Sequence, residues 1–176
     1  MLEWAAVQRA MQAVSPVESM EPDEHRALWN LANGLPDGAL IVELGVAYGM
    51  TLILLQAAAE NCHGQYVGVD DWRFGFGSCQ AVAALLTPGV GRLINAPTAT
   101  APWTGGLIDL LVIDAGHDYP SVHADAVTWL PRVRAGGHVA FHDHGKPEWG
   151  VTQAVAETTV GCEFYAEIGS LYIVKT

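Results

Sequence analysis

Apolar and polar positions recur with helical and strand periods along most of the chain, and the recurrence sets out the elements. Across residues 2–14, Ala5, Val7, Ala10, Met11 and Val14 have the loose spacing of an amphipathic helix, which Ser15-Pro16 should end. Pro22-Asp23-Glu24 begins a second helix, with proline in the first turn and acids at the positive end of the dipole. It carries Ala27, Leu28 and Leu31 and stops at Asn33-Gly34. Leu35-Pro36-Asp37-Gly38 turns the chain into a strand over 39–44, followed by a helix over 50–60 and a short apolar strand over 65–69. Ser78 caps a helix predicted to reach residue 86, where Thr87-Pro88-Gly89 breaks it. Residues 92–95 form a weak third strand, and 96–106, rich in Thr, Pro and Gly, read as loop where a helix would be expected. A buried strand over 108–113, a helix over 120–130 stopped by Pro131, a fifth strand over 137–141 and a helix over 150–158 follow. Strands over 163–168 and 171–174 flank Gly169-Ser170, a two-residue hairpin signal.

Strands alternating with helices predict βαβ units, an α/β fold with a mostly parallel sheet and helices on both faces. The closing hairpin adds antiparallel character at one edge. Ligands of such sheets lie beyond the carboxyl ends of the strands, at the switch point, so the residues just after each strand carry the chemistry.

After the first strand comes Glu43-Leu44-Gly45-Val46-Ala47-Tyr48-Gly49-Met50-Thr51, a glycine turn opening a helix. Free N–H groups at that helix start face the space beyond the strand. Glu43, an acid near the end of an apolar run, suits a cationic group better than a phosphate. The glycine spacing differs from the GxGxxG dinucleotide fingerprint. After the second strand stands Asp70-Asp71-Trp72, and an acid there, roughly 20 residues past the turn, can accept both hydroxyls of a ribose. Asp71 and Trp72 would border an adenine. The fourth strand ends in Asp114-Ala115-Gly116-His117-Asp118-Tyr119 and the fifth in His142-Asp143-His144. Carboxylates and imidazoles converging from adjacent strand ends can hold a metal or act as a general base. Asp114 closes a run too apolar to hold an unpaired carboxylate cheaply. Asp118 reads as a helix-start acid, and His123 and His138 as surface or packed histidines. His142 alternates in direction with Asp143 and could simply pack.

Size and charge narrow the picture. A chain of 176 residues fits one domain, with N-terminal helices over 1–34 and a core over 39–176. A formal charge of −11 reads most simply as a solvated acidic surface, and it disfavours nucleic acid and anionic membranes as partners. Met1-Leu2-Glu3-Trp4 lacks the basic start and apolar core of a signal peptide, and no apolar run is long enough to span a bilayer. Cys62, Cys79 and Cys162 are odd in number without CxxC spacing, which fits thiols in a reducing cytoplasm.

At these strand ends the sequence resembles class I S-adenosylmethionine-dependent methyltransferases, and within them the branch of metal-dependent sugar and macrolide O-methyltransferases. The stretch from Glu43 to Thr51 is similar to their first motif and Gly68-Val69-Asp70-Asp71-Trp72 to their second. The most specific likeness is Ile113 to Tyr119 with Asp125, Trp129-Leu130-Pro131, Gly136-Gly137 and His142-Asp143. The resemblance implies a Rossmann-like, seven-stranded sheet with a final hairpin. Glu43, Gly45, Ala47, Tyr48, Gly49, Thr51, Asp70, Asp71, Trp72 and Asp114 would form the S-adenosylmethionine site. Within it, Gly45 and Gly49 would bracket the methionine end, and Glu43 would orient the cationic portion. His117, with Asp143, would be catalytic, as the base for a hydroxyl. Asp114, His142 and Asp143 would hold Mg²⁺. Two departures stand out: the shortened segment 96–106, and little chain available for a substrate lid.

The expected reaction is methyl transfer to a hydroxyl oxygen of a small molecule. The enzyme mainly aligns acceptor, methyl and sulfur, and removes a proton. Trp4 and its helix offer a face for a homodimer. A nicotinamide-dependent oxidoreductase is the alternative enzyme, weakened by the glycine spacing and by His123 standing where a lysine would follow Tyr119. A catalytically silent methyltransferase-like binding protein is the alternative of another class.

Overall fold

The structure, a computed structural model, describes residues 1–14 and 20–176. The break expected at Ser15-Pro16 lies outside the described residues. Two helices, α1 (Trp4–Val14) and α2 (Pro22–Asn33), precede the first strand. Then come β1 (Leu40–Leu44), α3 (Met50–Asn61), β2 (Gln65–Asp70), α4 (Cys79–Ala83), β3 (Gly91–Asn95) and β4 (Ile108–Ile113). The chain closes with α5 (Tyr119–Trp129), β5 (Val133–Phe141), α6 (Val151–Thr158), β6 (Glu163–Ile168) and β7 (Leu171–Lys175). The seven strands lie in the order β3-β2-β1-β4-β5-β7-β6. The first five are parallel, and β7 runs antiparallel to both β5 and β6. The order reverses between β1 and β4, so the expected α/β architecture and its crevice are both present.

Strand alternation splits the core into two layers. Ile41, Tyr66, Leu110, Val112, Ala140 and Ile173 face α1, α2 and α3 with Leu28, Trp29, Leu52 and Leu55. Val42, Leu44, Val67, Leu111, Ile113 and Phe141 face α5 and α6 with Val122, Trp129 and Ala154. Ile108 joins this second layer although Leu110 belongs to the first, and the pairing of β4 with β5 shifts register between them. Trp4 packs on Trp29 of the same chain, with ring centroids 5.8 Å apart, and the Arg26 guanidinium lies 5.1 Å from the Trp4 ring.

Two elements differ from expectation, and the 96–106 segment is loop as expected. The helix capped by Ser78 spans only Cys79–Ala83, since side chains of α3 capture the chain beyond it. Gln56 Oε1 accepts from the Thr87 N–H at 2.7 Å, and Thr87 donates to Glu60 at 2.6 Å. Next, β5 begins at Val133, four residues before the predicted start, because Gly136-Gly137 forms a bulge inside the strand instead of marking its edge. Gly136 adopts φ +78° and its N–H donates to Thr176 at 2.7 Å. The 96–106 segment contains a single 3₁₀ turn, Thr98–Thr100. It is stitched to α5 by Trp129, whose indole N–H donates to the Thr98 carbonyl at 2.9 Å.

Candidate active site

A cavity of about 850 Å³ opens beyond the carboxyl ends of β1, β2, β4 and β5. Its lining includes Glu43, Gly45, Ala47, Tyr48, Thr51, Asp70, Asp71, Trp72, Asp114, His117, His142 and Asp143, so all the predicted site residues but Gly49 reach it directly.

The glycine turn is built by close approach. Gly45 has φ +89°, and a Cβ there would stand 2.2 Å from the Asp114 carbonyl oxygen. Glycine is therefore needed to let the end of β1 touch the end of β4, besides any ligand. Gly49, at φ +90°, is the N-cap of α3 and lies against Leu85 and Val82 behind the turn. Asp70 fastens the same loop: one carboxylate oxygen accepts from the N–H groups of Val46 (2.8 Å) and Ala47 (2.9 Å), and the other from Trp72 N–H at 2.6 Å. A carboxylate offers about four acceptor positions, so capacity for a further donor remains. The Trp72 indole N–H returns to the Ala47 carbonyl at 2.9 Å. Asp71 is held by Arg73, whose Nε donates to it at 2.6 Å, and this hydrogen bond keeps its carboxyl below the usual range.

Glu43 is buried, with 1% of its surface exposed, and accepts a hydrogen bond from the Tyr66 hydroxyl. Burial pushes its carboxyl up to about 8 against the Tyr66 bond, and the charges of Asp114 and Asp70 add to the rise. No cation offsets it among the described residues. It lines the cavity, where a neighbouring cation would favour its ionised form.

Across the cavity, Asp114, His117 and Asp143 converge. His117 Nδ1 lies 2.6 Å from Asp143 Oδ2, and the imidazole packs against Trp149 with centroids 4.5 Å apart. With Nδ1 donating to the carboxylate, Nε2 is the nitrogen left to take a proton. The backbone of this loop is fixed from α6: Gly150 N–H donates to the His117 carbonyl at 2.8 Å, and a Cβ on Gly150 would stand 2.1 Å from the Tyr119 nitrogen. Asp143, with φ +62°, also accepts from the Lys146 ammonium. Burial opposes ionisation of Asp143, but the bonds from His117 and Lys146 outweigh it and hold the carboxyl far below its ordinary value.

His142 does not join the Asp114, His117 and Asp143 cluster. Its Nδ1 lies 2.9 Å from Asp114 Oδ1, and its Nε2 lies 3.4 Å from Glu24 Oε2. Burial disfavours its charge, yet the hydrogen bond to Asp114 and the neighbouring carboxylates push it up to about 9. The set whose ligand atoms lie within 4.8 Å of one another is Asp114, His117 and Asp143. Thus His117 takes the place expected for His142 in the metal-ligating geometry. Two carboxylate oxygens with one imidazole suit a hard or borderline divalent cation, so the donor set is compatible with Mg²⁺.

Residues 42–144, more than half of the chain, match the family described as a methyltransferase domain. The chain belongs to this family. No curated protein matches it significantly. Among solved structures, this methyltransferase domain is similar to TomG of Streptomyces achromogenes, an O-methyltransferase of tomaymycin synthesis in complex with SAM. The two are 19% identical over 99% of this chain and 90% of that one, with a TM-score of 0.68. NovP, an O-methyltransferase, is 16% identical over 87% of this chain and 77% of that one, with a TM-score of 0.70. CalS11, a TDP-rhamnose 3′-O-methyltransferase of calicheamicin biosynthesis, is 15% identical over 97% of this chain and 93% of that one, with a TM-score of 0.64. At such identities the likeness is one of fold.

Several residues at the methyltransferase cavity escaped the sequence reading. Lys146, Trp149, Phe74, Phe76 and Thr98 all line it, alongside Asp125. The signal for Lys146 was its place three residues after Asp143 in a strand-end loop. Asp125 was legible only through its family resemblance, yet it is 1% exposed and burial pushes its carboxyl up to about 6, against a bond from Thr98. Asp118 is the helix-start acid expected, accepting from Ser121 N–H at 3.1 Å as N-cap of α5.

Proposed function

We propose that the protein transfers the methyl group of S-adenosylmethionine to a hydroxyl oxygen of a small molecule. The observation that carries this reading is the His117–Asp143 pair, 2.6 Å apart, facing the glycine turn across one cavity. Membership of the methyltransferase family and the cofactor-bound TomG fold support it. S-adenosylmethionine would supply an electrophilic methyl. Glu43 would receive the cofactor's ammonium group, Asp70 a ribose hydroxyl at its remaining acceptor position, and Asp71 and Trp72 would border its adenine. Tyr48 and Thr51 would close the methionine end, where the turn between Gly45 and Gly49 lets the backbone come near.

His117 Nε2 would take the acceptor's proton, and Asp143 would hold the imidazole with Nδ1 protonated and stabilise the imidazolium that forms. Trp149 would limit the ring's rotation. The remaining work is alignment of acceptor oxygen with the methyl, a proximity effect. Asp114, His117 and Asp143 would be the residues to hold Mg²⁺, which would lower the acceptor hydroxyl's pKa and orient it. If they do, His117 is a ligand and cannot also be the base. Mg²⁺ dependence therefore separates two roles for the same side chain. We further infer that residues 1–176 act as one methyltransferase domain.

Transfer of labelled methyl from S-adenosylmethionine to a library of sugars, phenols and alcohols, with and without Mg²⁺, tests the reading. His117→Ala should lower turnover on the best acceptor by about 10²–10⁴-fold, the range for loss of a general base. Full turnover in both His117→Ala and Asp143→Ala would refute the mechanism. Binding of NAD(H) without binding of S-adenosylhomocysteine would refute the cofactor assignment.

A further inference from the structure

Glu24 lies outside the segment that matches the methyltransferase family, in the first turn of α2. A helix-start acid needs only its own helix terminus and is ordinarily solvated. Asp23, beside it, is exposed, but Glu24 is 1% exposed. Its carboxylate gathers three elements. Oε2 accepts from the Glu21 N–H at 2.7 Å, which is the helix-terminal contact. Oε1 accepts from the Ser170 N–H at 2.5 Å and hydroxyl at 2.8 Å, in the turn between β6 and β7. Gly169, with φ +58°, has no room for a Cβ, which would stand 2.6 Å from Glu24 Oε1. Oε2 also lies 3.4 Å from His142 Nε2. Beyond His142, Nδ1 reaches Asp114 Oδ1 at 2.9 Å. The run Glu24–His142–Asp114 therefore joins α2 to the floor of the cavity.

We propose that Glu24 is a positioning residue for the acceptor site, acting through His142 on Asp114. This rests on the methyl-transfer reading above. An imidazole anchored at one nitrogen can still swing in its plane, whereas carboxylates at both nitrogens fix the ring. A fixed ring holds Asp114 Oδ1, and with it the direction in which Oδ2 is offered. Partners that orient metal-ligating side chains in this way are typically worth about 10–100-fold in metal affinity or activity, and Asp114 is one of the residues proposed to hold Mg²⁺.

The test is a double-mutant cycle on wild-type, Glu24→Gln, His142→Asn and the double variant, with kcat and KM measured for methyl transfer. In Glu24→Gln the amide N–H₂ can replace Oε2 and face the donors of Glu21 and His142, so kcat should fall about 10–100-fold. KM for S-adenosylmethionine should change by less than kcat, because Glu24 does not line the cavity and reaches only Asp114 among the residues expected around the cofactor. In the His142→Asn background the same change should alter kcat by less than about twofold, since the intermediary is already lost. Losses that multiply independently would overturn the proposal, as a merely structural role predicts them. Glu24→Asp keeps the charge and a good helix start but shortens the reach, and it should lower kcat in the same direction if Glu24→Gln unfolds. Asp23→Asn, which removes an adjacent exposed charge, should leave kcat unchanged, and an equal loss there would also overturn the proposal. Wild-type turnover is measured first: its failure refutes methyl transfer to hydroxyls, whereas an active wild type with an additive cycle refutes only the role of Glu24.

Discussion

Glu43 is the buried side chain at which the proposed cofactor's ammonium group would be felt most directly. Its carboxyl titrates at about 8, against an ordinary value of 4.5, because burial disfavours the charged form. A folded-state value above the unfolded one favours the native state at low pH, and that contribution is lost as pH rises from about 4.5 through 8. An ammonium group placed beside it favours the ionised form, so binding expels a proton. S-adenosylhomocysteine affinity should therefore rise from pH 6 to 8, by up to about tenfold per unit, and level off above. Glu43→Gln should bind more weakly and flatten this dependence. Calorimetry in buffers of different ionisation enthalpy reads both the affinity and the proton released. The sequence already marked Glu43 as the odd acid in an apolar strand. It did not reveal Tyr66 as its partner, because a tyrosine in a strand reads equally as core packing.

At the scale of elements, the strands were legible and the close approaches between them were not. Every predicted strand is present: two-sided burial makes β1, β2 and β4 apolar runs bounded by turn residues, whereas the exposed edge strand β6 was legible through the hairpin turn beside it. Irregular elements failed for tertiary reasons. Gln56 and Glu60 of α3 end α4 early, and Gly136-Gly137 is a bulge carried within β5. Site residues on strand ends were found, but Trp149 and Lys146 lie in a loop with no periodicity to place them. Gly45 carries the clearest element-scale consequence. Its likeness to a ligand-binding glycine was visible in sequence, whereas its contact with the Asp114 carbonyl needs the fold. Gly45→Ala would combine a left-handed backbone with a Cβ 2.2 Å from that oxygen. It should destabilise the domain by about 2 kcal/mol or more, with strain and overpacking each contributing about 1–3 kcal/mol. Urea unfolding would show a lower midpoint with an unchanged slope. Gly38→Ala is the comparison: it shares a positive φ of +78° but has no atom within 4 Å of its would-be Cβ, so its cost should be smaller.

Across the whole molecule, the acidic charge is concentrated where the chemistry is proposed. The net charge is −11, and eight Asp and Glu side chains line the cavity, Glu43 among them with its carboxyl raised to about 8, against Arg73 and Lys146 as the permanent cations among the described residues. A negative mouth raises the local concentration of cationic ligands and repels polyanions. S-adenosylmethionine differs from S-adenosylhomocysteine by the sulfonium charge and one methyl, so the pair isolates the field from the shape of the site. Salt at about 0.5 M reduces the Debye length to roughly 4–5 Å, from about 14 Å at 0.05 M, and screens whatever part of the field acts through solvent. Affinity for S-adenosylmethionine should thus fall more steeply with salt than affinity for S-adenosylhomocysteine. Over the same range the second should change by less than about twofold, since its net charge is near zero. Equal slopes in calorimetric titrations would mean that the acidic mouth contributes no long-range attraction and that Glu43 and its contacts act only locally. The same field disfavours acceptors bearing several phosphates, so a neutral hydroxyl compound should be methylated faster than its phosphorylated counterpart, with the difference shrinking as salt is raised.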